Sequence, residues 1–183
     1  MKEKKSISEN IELPKGVNVE LKDKLIKIKG AKGENSMSFN TKVAEVTVQD
    51  NQISLKAKGT GKVFKKQICT LIAHLRNMIK GVTDGFTYKL KICSGHFPMS
   101  VTSSGGSISV KNYFGEKTPR VLKIKQGAEV KVEGDTITVT GIDKSLCGQV
   151  AADIEKLASR TSFDRRIFQD GIYIINKAGK DIE

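Results

Sequence analysis

Tryptophan is absent from this sequence, and aromatic residues make up only 5% of its 183 positions. The cores must therefore be small and aliphatic, filled by Val, Ile, Leu and a few Phe. Small cores are marginal on their own, because a short chain buries a smaller share of its surface, so a partner is expected to add stability. So few rings also argue against a sheet surface that stacks single-stranded RNA bases. Cysteine is scarce. Cys69, Cys93 and Cys147 are far apart and odd in number, with no C-x-x-C pair, which excludes a disulfide framework and a paired-cysteine zinc site. Cys69 and Cys147 fall inside helical apolar patterns and read as small buried thiols. There are two histidines, His74 and His96, without companions at ligand spacing, so neither metal nor cofactor is expected. No apolar run is long enough to cross a bilayer, and Met1 to Ser6 lacks the apolar core of a signal peptide. The expected address is cytosolic or nuclear, in a reducing compartment and off the membrane.

Acidic charge is also in deficit. Thirty-two Lys and Arg face 20 Asp and Glu, a net charge of +12, with a pI near 9.6. In so short a chain that surplus points to a polyanionic partner, because each neutralised phosphate releases condensed counterions. Nucleic acid comes first, an anionic membrane surface second, and a basic soluble enzyme third. With few rings available, recognition by charge and shape fits best.

Val17, Val19 and Leu21 alternate with Asn18, Glu20 and Lys22, the period of a half-buried strand. A polar turn at Lys22-Asp23-Lys24 leads to Leu25, Ile26 and Ile28, and Gly30 and Gly33 break that pattern. Val43, Val46 and Val48 mark a third strand, Asp50-Asn51 a turn, and Ile53 to Ala57 the return strand of a hairpin. The period changes after Gly61. Phe64, Ile68, Leu71, Ile72, Leu75, Met78 and Ile79 form one apolar stripe of a helix. Thr60 is its expected N-cap, and Gly81 its expected left-handed end. Lys62, Lys65, Lys66, Arg76 and Lys80 lie mainly off the stripe, either as a solvated face or as a phosphate-facing one.

The second half repeats this order. Phe86, Tyr88, Leu90 and Ile92 alternate as a strand. Ala128-Glu129-Val130 through Val139 matches Ala44-Glu45-Val46 through Leu55, and each hairpin runs into a helix. Asp143 is the expected N-cap of the second helix, which carries Leu146, Val150, Ile154 and Leu157 at helical spacing. Ile28 to Glu34 matches Val110 to Glu116. These correspondences, in register, are an internal duplication of two α+β units, each a small mostly antiparallel sheet packed against one helix. The expected organisation is a first repeat with a short N-terminal arm at 1–82, a second at 83–158, and a basic C-terminal extension at 159–183. Charge is uneven: residues 1–82 carry 17 basic against 8 acidic residues, net +9, and residues 83–183 carry 15 against 12, net +3.

Catalytic chemistry has no residues to carry it. Gly59-Thr60-Gly61-Lys62 lacks the spacing of a phosphate-binding loop, with Val63 after the lysine, and reads as a helix start. Ser103 to Ser107 is a hairpin tip, not a nucleophile elbow. His74 reads as a helix-flank residue. His96, in Gly95-His96-Phe97-Pro98, is open to two readings, a phosphate contact or a structural role.

Several segments together resemble one known family, the universal large-subunit ribosomal protein called L-six in bacteria and L-nine in eukaryotes. They are Leu13-Pro14-Lys15-Gly16-Val17, Ile28 to Glu34, and Arg76 to Phe86 at the junction. His96-Phe97-Pro98, Asn112-Tyr113-Phe114-Gly115-Glu116-Lys117 and Asp170-Gly171-Ile172-Tyr173 are similar to the eukaryotic form. Gly141 to Ala152 resembles the archaeal and bacterial form. The resemblance runs in order along nearly the whole chain, with departures at Thr161 to Asp164 and in the first hairpin. It implies two stacked α+β repeats and no enzymatic activity, cofactor or small-molecule substrate. It also implies attachment to large-subunit ribosomal RNA near the sarcin–ricin loop and stalk base, beside neighbouring ribosomal proteins. There the protein would support the docking surface of translational GTPases, in cytoplasmic ribosomes, with nucleolar transit during assembly in a eukaryote. The second repeat and the extension would make the main RNA contacts. Carried onto this chain, these are Lys111, Asn112, Gly115, Lys117 and Arg120 around the Gly-Glu-Lys loop, Arg160, Arg165, Arg166, Lys177 and Lys180 in the extension, and His96. Gly115 offers a backbone that a phosphate can approach closely, and Arg a planar fork for phosphate oxygens.

Overall fold

The computed structural model describes residues 8–14, 16–49, 52–161, 163–164 and 166–182. The expected turn at Asp50-Asn51 and the expected contact Arg165 lie outside them. The chain divides into two units, Met1–Gly85 and Phe86–Glu183.

In the first unit the strands are β1 (Ser8–Glu12), β2 (Asn18–Lys22), β3 (Leu25–Gly30), β4 (Gly33–Ser38), β5 (Ala44–Gln49) and β6 (Gln52–Ala57), followed by α1 (Lys62–Thr83). They form two antiparallel three-stranded sheets rather than the single expected one, ordered β1-β6-β5 and β2-β3-β4. Two strands were illegible in the sequence. β1 contributes only Ile11 and β4 only Met37 as large apolar side chains, too few to show a period. Alternation in β3 and β6 buries Ile26, Ile28, Ile53 and Leu55 completely, and Ile68, Leu75 and Val82 of α1 are equally dry.

Both expected ends of α1 need correction. Gly61, not Thr60, holds the N-cap position, and no side chain caps the helix there. At the other end Gly81 is buried inside the helix, which runs two residues further so that Val82 can join the core. Thr83 Oγ1 donates to the Ile79 and Lys80 carbonyls, and the left-handed turn falls at Gly85, φ 76°. Gly30 has a separate steric reason to be glycine. A Cβ there would come within 2.8 Å of the Val82 side chain and 2.9 Å of its carbonyl oxygen. Cys69 is exposed, against expectation, because one residue beyond Ile68 turns about 100° away from the apolar stripe.

The second unit contains β7 (Phe86–Cys93), β8 (Ser100–Ser104), β9 (Ser107–Lys111), a 3-10 turn (Tyr113–Gly115), β10 (Arg120–Lys123), β11 (Ala128–Glu133), β12 (Thr136–Gly141), α2 (Lys144–Leu157), β13 (Gly171–Lys177) and β14 (Lys180–Asp181). Its sheets are β10-β9-β8 and β11-β12-β7-β13-β14. The first matches β2-β3-β4, and β7-β12-β11 matches β1-β6-β5, so the duplication extends to strand order. The addition is β13, which pairs antiparallel with β7 from Gly171↔Cys93 to Lys177↔Tyr88. Much of the C-terminal segment is thus part of the second unit's sheet. Asp143 caps α2 as expected, its side chain accepting from Ser145 N at 2.9 Å. Cys147 is fully buried, and burial pushes its thiol up to about 11, which makes it inert packing. Leu90, Ile108, Ile137, Val139, Ile154 and Ile172 complete an aliphatic core.

Candidate nucleic-acid interface

Past Lys111 at the end of β9 the backbone turns sharply. Asn112 (φ 59°), Phe114 (φ 48°) and Gly115 (φ 76°) are all left-handed. Asn112 Nδ2 donates to the Pro98 carbonyl at 3.0 Å, anchoring the turn. A Cβ on Gly115 would meet only the Phe97 ring at 3.8 Å, so φ and not lack of space favours glycine here, and its backbone is left open. For a residue as bulky as Phe114 the left-handed conformation costs of order 1–3 kcal/mol. Ring contacts hold it. Tyr113 meets Phe114 edge-on at 4.9 Å, and Phe163 stacks on it at 5.2 Å with an 11° interplanar angle.

Arg120 fixes the far side of this loop. Its Nε and Nη2 donate to the two Glu116 carboxylate oxygens at 2.8 and 2.7 Å. Nη1 donates to the Leu157 carbonyl at 2.7 Å and the Ser159 carbonyl at 3.3 Å, and the guanidinium lies 4.4 Å from the Tyr113 ring centroid. The hydrogen bond to Arg120 holds the Glu116 carboxyl below its ordinary range. Expected as a phosphate contact, Arg120 is instead committed within the protein, joining the loop to the end of α2.

His96 makes structural contacts. The Asp170 carboxylate accepts from the backbone N–H of Gly95, from His96 N at 3.2 Å, and meets His96 Nδ1 at 2.6 Å. That nitrogen carries the proton, since an ionised carboxylate only accepts. The Asp170 side chain is 6% exposed. Burial alone would raise its pKa, but the Gly95 and His96 hydrogen bonds outweigh burial and the net shift is downward. The ring of His96 rests 5.0 Å from Phe168.

Between α2 and β13, Arg160 lies 4.7 Å from the Phe163 centroid and 6.0 Å from Phe114, and Phe163 meets Phe168 edge-on at 5.0 Å. Arg166 is highly exposed and pairs with its neighbour Asp164 at 2.8 Å. That hydrogen bond lowers the Asp164 pKa. So exposed a pair is weak and screened by salt, and the arginine can exchange it for a phosphate at little cost. Lys111, Lys117 and Arg160 are exposed and make no ion pair among the described residues. Lys177 and Lys180 lie elsewhere. They flank a hairpin with Ala178 (φ 52°) and Gly179 (φ 88°) at its tip, at the far end of β13, about 20 Å from Gly171 at the usual rise per residue.

The residues picked from the sequence therefore form two groups. His96, Asn112, Gly115, Arg120, Arg160 and Arg166 collect around one aromatic cluster with Lys111 and Lys117 in the adjoining chain, and Lys177 and Lys180 form the other. Missed altogether were Tyr113, Phe114, Phe163, Phe168 and Tyr173, half of the chain's seven Phe and three Tyr, which line a recess of about 210 Å³. A low average aromatic content concealed their convergence from segments some fifty residues apart. The missed Asp170 had no periodic or motif signal beyond its place before Gly-Ile-Tyr. In the first unit, Lys62, Lys65, Lys66 and Lys80 remain exposed on α1, while Arg76 pairs with Glu9 of β1. Among the described residues no helix is long and apolar enough to cross a membrane.

The family model described as ribosomal protein L6 matches this sequence twice, over residues 13–85 and 97–171. The large ribosomal subunit protein uL6 of Methanobrevibacter smithii is 41% identical over 172 residues, covering 94% of this chain and 97% of the relative. Its counterpart in Methanosarcina mazei is 41% identical over 174 residues, covering 95% and 99%.

Proposed function

The chain belongs to the ribosomal protein L6 family, and on that premise we propose that it binds large-subunit ribosomal RNA beside the sarcin–ricin loop at the stalk base. It is a structural protein of the large ribosomal subunit, not an enzyme. There it supports the surface on which translational GTPases dock, in contact with neighbouring ribosomal proteins, within cytoplasmic ribosomes. The observation that carries this reading is the match of one family model to both repeats in order. The geometry agrees with it. Exposed cations that make no ion pair among the described residues gather around a loop whose open glycine backbone is held from behind by Arg120 and Glu116, an arrangement suited to phosphate oxygens. The main contact belongs to the second unit, and the α1 face of the first is a secondary contact.

A tagged chain should co-sediment with large subunits at moderate salt, and crosslinks from Lys117 should reach nucleotides at the sarcin–ricin loop or the stalk base. Recovery only in the ribosome-free fraction would overturn the ribosomal assignment. Crosslinks confined to distant RNA would overturn the placement alone.

A further inference from the structure

We propose that the aromatic recess of the second unit receives one unpaired RNA base against Phe163, with Arg160 placed for the adjoining phosphate, an inference that rests on the chain being an RNA-binding ribosomal protein. At about 210 Å³ the recess is smaller than the roughly 300–1,000 Å³ of pockets for drug-sized ligands. It has room for a single ring system and none for a helix.

Ring geometry supplies a stacking surface. One face of Phe163 is covered by Phe114 at 5.2 Å. Arg160 is 4.7 Å from Phe163 and 6.0 Å from Phe114, and Phe168 is 5.0 and 6.1 Å away. Both sit against the pair, and the half-buried Phe163 lines the recess.

Polar groups in the recess suit the edge of a base. The Tyr173 hydroxyl lines it and has no hydrogen-bond partner among the described residues. Glu155 Oε1 accepts from Ile174 N at 3.3 Å, which leaves Oε2 to accept an amino group of a base. The Arg160 guanidinium, which makes no ion pair among the described residues, matches the phosphate that must accompany the base. The left-handed Phe114 (φ 48°, ψ 35°) adds a second sign. Strain of this kind persists where the surroundings over-determine it, and it clusters at ligand clamps.

The test uses large subunits purified through a tag on this chain, irradiated with ultraviolet light, and digested for mass spectrometry. A nucleotide attached to Phe163 or to Phe114 is expected, and it should disappear in F163L and persist in F163Y. With isolated large-subunit ribosomal RNA, F163L should lose roughly tenfold in affinity at unchanged salt dependence, since stacking is lost and no phosphate contact is. Y173F keeps the ring packing and should weaken binding severalfold, which guards against an effect of F163L on folding. Subunits that contain the chain but carry no crosslink at Phe114, Phe163 or Phe168, with Y173F binding as the unaltered chain does, would overturn the proposal. Absence of the chain from large subunits would instead overturn the ribosomal reading beneath it.

Discussion

Asp170 and Arg120 act as braces behind the proposed interface. Asp170 is the one buried charged side chain among the described residues, and it joins the Gly95-His96 turn to the start of β13. Its folded carboxyl ionises below the usual range, so as pH falls the unfolded chain takes up the proton first. The stability it contributes is complete above the unfolded value, about 4, and is lost as pH drops through the folded value. D170N should therefore lower stability near neutral pH by roughly 1–3 kcal/mol, the usual cost of leaving buried donors poorly satisfied, and should flatten the acid limb. Urea midpoints measured from neutral pH down to the acid transition check both effects. A variant with the parent's midpoint and acid slope would remove Asp170 from this role. Arg120 shows that residue type alone misleads: an arginine beside a Gly-Glu-Lys loop suggests a phosphate contact, yet its carboxylate, carbonyl and ring partners are all internal.

Among the elements, β13 matters most for the organisation of the second unit. Its first residues resemble a family signature, but its place at the edge of β7 depends on pairing across about eighty to ninety residues. Ile172 is 1% exposed and part of the aliphatic core. I172A should accordingly cost about 2–5 kcal/mol, as for a fully buried aliphatic side chain, read from the urea midpoint of the full chain. A change below about 0.5 kcal/mol, typical of a surface position, would show the segment to be an appendage. The helices illustrate the opposite case. Their apolar stripes were plain in the sequence, because every fourth residue returns to one face. Only the ends of α1 moved, and its last turn runs past Gly81 so that Val82 joins the core.

For the whole molecule, the two groups of cations lie at opposite ends of β13, and their contributions to RNA binding should be independent. Replacing Lys177 and Lys180 with Gln should reduce the magnitude of the salt slope by about 2, as should replacing Arg160 and Arg166. The fourfold variant should lose the sum, since sites this far apart couple weakly. A fourfold variant that loses no more than either pair would mean that both act through one contact, measured as the salt dependence of binding to isolated large-subunit ribosomal RNA.

The sequence by itself determined the class of protein: a duplicated α+β chain, basic, aliphatic-cored and without catalytic groups. Those properties are additive or local, carried by composition, by charge and by periods of two and 3.6 residues, and Asp143 was legible as a cap because capping spans only a few positions. Tertiary structure decided which cations stay available, which arginine is a brace, and which aromatic rings meet. Phe114 with Phe163, Asp170 with His96, and Arg120 with the end of α2 are contacts between distant segments. No local pattern encodes them, because they arise only when β13 closes the sheet and brings the C-terminal segment against the loop after β9.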